Sequence, residues 1–124
     1  MHKILIVDDN KDYLELISQF MGDEGYDVDT AVNGREAIQK LEENPDYDLI
    51  ITDVLMPDID GFGLIQFINN MDKAIPIIAL SGGGFTINSE DVLSTVESLV
   101  SIVYQKPVSL AQLVSKATEL TKAA

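Results

Sequence analysis

Short apolar runs alternate with helix-spaced stripes along the whole chain. Residues 3–7 (KILIV) form a run rich in β-branched side chains. Tyr13, Leu14, Ile17, Phe20 and Met21 then recur at helical spacing, with Asn10 or Asp9 as cap and Gly22 and Gly25 as the stop. Residues 27–32 (DVDTAV) alternate weakly, as an edge strand does, and Asn33-Gly34 is a turn signal. Ala37, Ile38 and Leu41 mark a second helix that ends before Asn44-Pro45. Residues 48–52 are the third run, and Phe62, Ile65, Ile68 and Met71 stripe a helix after Gly61. Residues 76–80 (PIIAL) are the fourth run, followed by Gly82-Gly83-Gly84 and a helix near 88–98 with Val92, Leu93 and Val96. Residues 100–104 (VSIVY) are the fifth, and the last helix carries Leu110, Leu113, Val114, Ala117 and Leu120.

Five strand–helix units in succession predict an α/β fold: a mostly parallel, doubly wound five-stranded sheet flanked by five helices. No linker, low-complexity stretch or repeat interrupts it, so residues 1–124 read as a single domain. The chain opens straight into a strand pattern and lacks the apolar length of a signal peptide or membrane span, which points to a soluble cytoplasmic protein.

Composition removes several function classes. There is no cysteine, hence no disulfide framework or thiolate metal site. With 8 Lys+Arg against 21 Asp+Glu, the formal net charge is −13. Direct nucleic-acid binding and insertion into anionic membranes need clustered cations, and are not expected.

The polar residues that follow the apolar runs are more informative. Asp8 and Asp9 follow the first, Asp53 the third, Ser81 the fourth and Lys106 the fifth. In an open parallel sheet the carboxyl ends of the strands share one edge, where ligands bind. The sequence therefore gathers three carboxylates, a hydroxyl and an ammonium. Crowded carboxylates repel, and a hard cation relieves them; without imidazole or thiolate the donor set suits Mg²⁺, with Mn²⁺ as the alternative. An ammonium and a hydroxyl beside such a cation suit a phosphoryl group, and a carboxylate can itself accept one as an aspartyl phosphate. Taken singly, the same residues are bland. Asp8-Asp9 would be a helix cap, Asp58 and Asp60 are turn acids, and His2 stands alone. Gly82–Gly84 lacks the spacing of a phosphate-binding P-loop.

Four segments, VDDN, TDVLMPDIDG, ALSG and QKP, occur in this order, each at a strand end. On them the chain resembles the receiver domain of two-component response regulators, including chemotaxis receivers, over essentially its whole length. The resemblance implies the flavodoxin-like strand order 2-1-3-4-5. It implies that Asp53 takes a phosphoryl group from a sensor histidine kinase or phosphotransfer protein. It assigns Mg²⁺ to Asp8, Asp9, Asp53 and the backbone carbonyl of Leu55, and phosphoryl oxygens to Lys106. It gives Ser81 a hydroxyl that moves onto the phosphoryl group, and makes the Lys106–Pro107 bond cis. The protein would then be a signalling switch rather than a conventional enzyme, assisting its own phosphorylation and dephosphorylation. It would meet a downstream protein through its fourth helix, fifth strand and fifth helix.

Two features depart from the family pattern. Val103 occupies the position that is often aromatic, with Tyr104 one residue later, so either a bulge shifts Tyr104 into that role or the aromatic is missing. The interval from Ser81 to Lys106 is also longer than usual. Two other functions compete. A receiver-like interaction module would work without phosphorylation, but expects a missing acid or lysine. A Mg²⁺-dependent phosphatase with an aspartyl nucleophile expects an acid two residues after Asp53, where Leu55 stands.

Overall fold

The computed structural model describes residues 2–54, 61–81 and 98–122, apart from the side chains of residues 61 and 62. Five strands, β1 (Lys3–Val7), β2 (Asp27–Ala31), β3 (Leu49–Asp53), β4 (Ile77–Ser81) and β5 (Ile102–Gln105), form one sheet in the order β2-β1-β3-β4-β5. Every pair is parallel. The helices among the described residues are α1 (Lys11–Asp23), α2 (Gly34–Glu43), α3 (Gly61–Asn69) and α4 (Leu110–Lys122). Most of the helix expected near 88–98 lies outside the described residues, as does the triple glycine.

Alternation along each strand splits the core in two. Leu5, Val7, Ile50, Ile77 and Ala79 face one side and pack with Ala37 and Leu41 of α2 and Leu64, Ile65 and Ile68 of α3. Ile4, Ile6, Leu49, Ile51, Ile78 and Leu80 face the other and pack with Leu14, Ile17 and Met21 of α1 and Leu113 and Ala117 of α4. Burial on both faces explains why β1, β3 and β4 are continuous apolar runs and why β2, at the edge, is not. Each large apolar side chain in these layers contributes about 1.5–3 kcal/mol.

Local signals set the helix ends. Asn10 caps α1, its side chain accepting from the Tyr13 amide at 3.1 Å. Asn33, expected only to turn the chain, caps α2 by accepting from Glu36 at 2.7 Å. Gly25, at φ +100°, turns the chain from α1 into β2.

Candidate functional site

The alternation that builds the core also delivers the site. On β1, β3 and β5, the residues Ile6, Ile51 and Tyr104 pack on the α1/α4 side. Two residues further along each strand stand Asp8, Asp53 and Lys106, so all three continue that face beyond the apolar layer. Ser81 instead continues the row of Ile77 and Ala79, on the opposite side of β4.

These residues meet at the carboxyl edge of the sheet. Lys106 Nζ donates to Asp8 Oδ2 at 2.7 Å and to Asp53 Oδ2 at 3.0 Å. Asp8 and Asp53 are only 1% and 5% exposed, while Asp9 is open to solvent. One carboxylate oxygen from each of Asp8, Asp9 and Asp53 lies within 4.8 Å of the others. The second oxygen of Asp8 accepts from the Asn10 amide at 2.9 Å, which orients the carboxylate. Ser81 is buried beside this group, and its backbone carbonyl accepts from the Lys106 amide at 2.8 Å. The Lys106–Pro107 bond is cis.

Burial pulls the Lys106 pKa down, but its hydrogen bonds to Asp8 and Asp53 outweigh it and the net shift is upward. The ammonium is therefore a fixed positive charge. It does not balance the group: three carboxylates face one ammonium. Two like charges at ~5 Å repel by about 3 kcal/mol at an effective dielectric near 20. An all-oxygen acidic donor set with negative charge in excess fits a hard divalent cation. Leu55, expected to add a backbone carbonyl, lies outside the described residues, as do Asp58 and Asp60.

The register of β5 answers the question about its aromatic residue. Ala79 pairs with Val103, Leu80 with Tyr104 and Ser81 with Gln105, without a bulge. Val103 packs with the α2/α3 layer and Tyr104 with the α1/α4 layer. Tyr104 is therefore on the wrong face to replace an aromatic at 103.

One residue at the site was not singled out from the sequence. Tyr13 reads as one more apolar position of α1, yet its ring centroid lies 4.7 Å from Lys106 Nζ and its hydroxyl accepts from the Val108 amide at 3.2 Å. The available signal was its place in the first turn of α1, three residues after the capping Asn10. A cavity of about 250 Å³, lined by His2, Tyr26 and Thr118 among others, opens near the starts of β1 and β2 and holds none of the site residues. No helix among the described residues is long and apolar enough to cross a membrane.

The family model of the response regulator receiver domain matches residues 4–118. A CpxR homolog of Haemophilus influenzae, described as a transcriptional regulatory protein, is 40% identical over 71% of this chain and 37% of its own length. The transcriptional regulatory protein PrrA of Mycobacterium tuberculosis is 31% identical over 97% of this chain and 50% of its own. This chain thus spans half or less of the length of these two relatives. A two-component response regulator from Clostridium difficile superposes with a TM-score of 0.84 at 30% identity, covering 98% of this chain and 97% of that one. A chemotaxis response regulator from Vibrio cholerae gives 0.82 at 28% identity, covering 97% and 98%. With its strand order and the match over nearly all of its length, this chain belongs to the response regulator receiver domain family of two-component signalling.

Proposed function

We propose that residues 1–124 act as one phosphoacceptor switch in the cytoplasm, with Asp53 as the acceptor. The observation that carries this reading is the Lys106 ammonium held between Asp8 and Asp53, with a carboxylate oxygen of Asp9 drawn in beside those two. A carboxylate oxygen of Asp53 attacks the phosphorus of a phosphohistidine on a sensor kinase or phosphotransfer protein. The new P–O bond forms as the P–N bond breaks, and the leaving imidazole nitrogen takes up a proton. Asp8, Asp9 and Asp53 would hold Mg²⁺, with the Leu55 carbonyl as the further ligand that the family resemblance implies, and the ion would supply positive charge for the phosphoryl oxygens. Lys106 exchanges part of its carboxylate bonding for a phosphoryl oxygen. The Ser81 hydroxyl bonds another, which stabilises the phosphorylated state over the resting one. Attack of water on phosphorus later breaks the P–O bond, releases inorganic phosphate and restores Asp53. The output is altered docking of a partner protein on a surface that includes β5 and α4.

The test uses the protein and an Asp53→Asn variant, each incubated with phosphoramidate and Mg²⁺ and followed by intact mass. The expected result is one phosphoryl adduct on the unmutated protein and none on the variant. Continuous phosphate release with no adduct makes the protein an aspartyl-nucleophile phosphatase. No reaction in either leaves a docking module that works without phosphorylation, and overturns the proposal.

A further inference from the structure

Tyr13 closes a ring of contacts that begins and ends on Asp8. Asp8 Oδ1 accepts from the Asn10 amide at 2.9 Å, and Asn10 Oδ1 accepts from the Tyr13 amide at 3.1 Å. The Tyr13 hydroxyl accepts from the Val108 amide at 3.2 Å, two residues past Lys106. Its ring lies under Lys106 Nζ at 4.7 Å, and Nζ returns to Asp8 Oδ2 at 2.7 Å. A lysine ammonium rides on a flexible four-carbon stem, so its position must be imposed from outside. A further carboxylate would impose it, but would deepen the negative excess and occupy another N–H. A ring face attracts the cation through its quadrupole and leaves the N–H groups free for oxygen acceptors.

From this geometry we propose that Tyr13 is a positioning residue for phosphoryl transfer, holding the Lys106 ammonium where it reaches the phosphoryl oxygens on Asp53. The role rests on the reading of Asp53 as acceptor. Its two parts are separable. The ring holds the charge, while the hydroxyl ties α1 to the segment after Lys106.

Two measurements test it. In the unphosphorylated protein, the Lys106 ε-methylene protons should resonate upfield of ordinary lysines because of the ring current. The shift should persist in Tyr13→Phe and vanish in Tyr13→Leu. With phosphoramidate and Mg²⁺, Tyr13→Leu should slow adduct formation at saturating donor by about 3- to 30-fold, with Tyr13→Phe much closer to the unmutated protein. In a Lys106→Met background, Tyr13→Leu should cost nothing further, because its effect passes through the ammonium. An ordinary Lys106 resonance in the unmutated protein, which needs no variant to fold, overturns the inference. So does an equal loss with and without Lys106. If the unmutated protein takes up no phosphoryl group, the acceptor reading falls and this role falls with it. A phosphorylated protein indifferent to Tyr13→Leu removes only the role of Tyr13.

Discussion

Near the starts of the strands, Lys3 Nζ lies 3.5 Å from Asp29 Oδ2 and 5.5 Å from the Tyr47 ring centroid. Beyond their ends, Lys106 Nζ lies 2.7 Å from Asp8, 3.0 Å from Asp53 and 4.7 Å from the Tyr13 ring. Both places combine lysine, aspartate and tyrosine, but they balance charge differently. At the first, the buried Tyr47 hydroxyl donates to Asp29 at 2.6 Å, so one carboxylate meets a neutral donor and one ammonium. That hydrogen bond lowers the Asp29 pKa against the opposing effect of burial; Tyr47 is pushed up, first by burial and then by Asp29. At the second, carboxylates outnumber the ammonium, and the tyrosine hydroxyl serves the backbone instead. The same ingredients make a charge-balanced strut at one end and a site with negative charge in excess at the other.

The same substitution at both ends should break the likeness most sharply. Lys106→Met leaves two nearly buried carboxylates facing each other and should cost about 3 kcal/mol without divalent cations. Lys3→Met removes a longer, partly exposed pair and should cost under about 1 kcal/mol. Urea midpoints in EDTA measure both, and equal costs would end the distinction between strut and site.

This contrast also marks how far the sequence could be read. Asp8, Asp53, Ser81 and Lys106 were legible because each follows or ends an apolar run, and a parallel sheet puts those ends on one edge whatever the strand order. The order 2-1-3-4-5 came from resemblance, since periodicity cannot say which strands are neighbours. The place of Tyr104 needed the β4–β5 register, because on a strand one residue decides the face. Tyr13 and Tyr47 stayed hidden for another reason. A tyrosine in an apolar stripe or before a strand looks like packing, and its partners Lys106 and Asp29 are reached only once the chain has folded.

Next in size is the response to a divalent cation. Binding at the crowded carboxylates should stabilise the protein by about 1.4 kcal/mol when Mg²⁺ is ten times its Kd, raising Tm by about 4–6 °C. Asp9→Asn should reverse the ranking. Asp9 is exposed and forms no ion pair among the described residues, so losing its charge relieves repulsion. The variant should melt above the unmutated protein in EDTA and gain less from Mg²⁺. Thermal melts with and without millimolar Mg²⁺ decide this, and parallel curves for the two proteins would contradict a shared cation site. The strut near the strand starts predicts no such crossing, since Asp29 has Tyr47 and Lys3 already.

The smallest expected effect tests the strut itself. Tyr47→Phe keeps the buried ring and removes the hydroxyl donated to Asp29, which should cost about 1 kcal/mol at pH 7, a charged hydrogen bond discounted for the partial exposure of Asp29. The sign of its pH dependence follows from the lowered Asp29 pKa. A carboxylate whose folded value lies below its ordinary 3.8 contributes fully above about pH 4 and loses that contribution as pH falls through the folded value. The hydrogen bond from Tyr47 is the largest cause of the lowering, so in Tyr47→Phe the Asp29 pKa should move back toward 3.8. Acidification should then remove less stability from the variant, and the gap between the two proteins should narrow from pH 4 downward. Urea midpoints at pH 7, 4 and 3 measure that gap. A gap constant across the series would mean that the cost of losing the hydroxyl comes from packing around the ring, and the strut would no longer be electrostatic. Phosphoryl uptake, where it occurs, should be unchanged in the same variant, because the strut is made by Lys3, Asp29 and Tyr47.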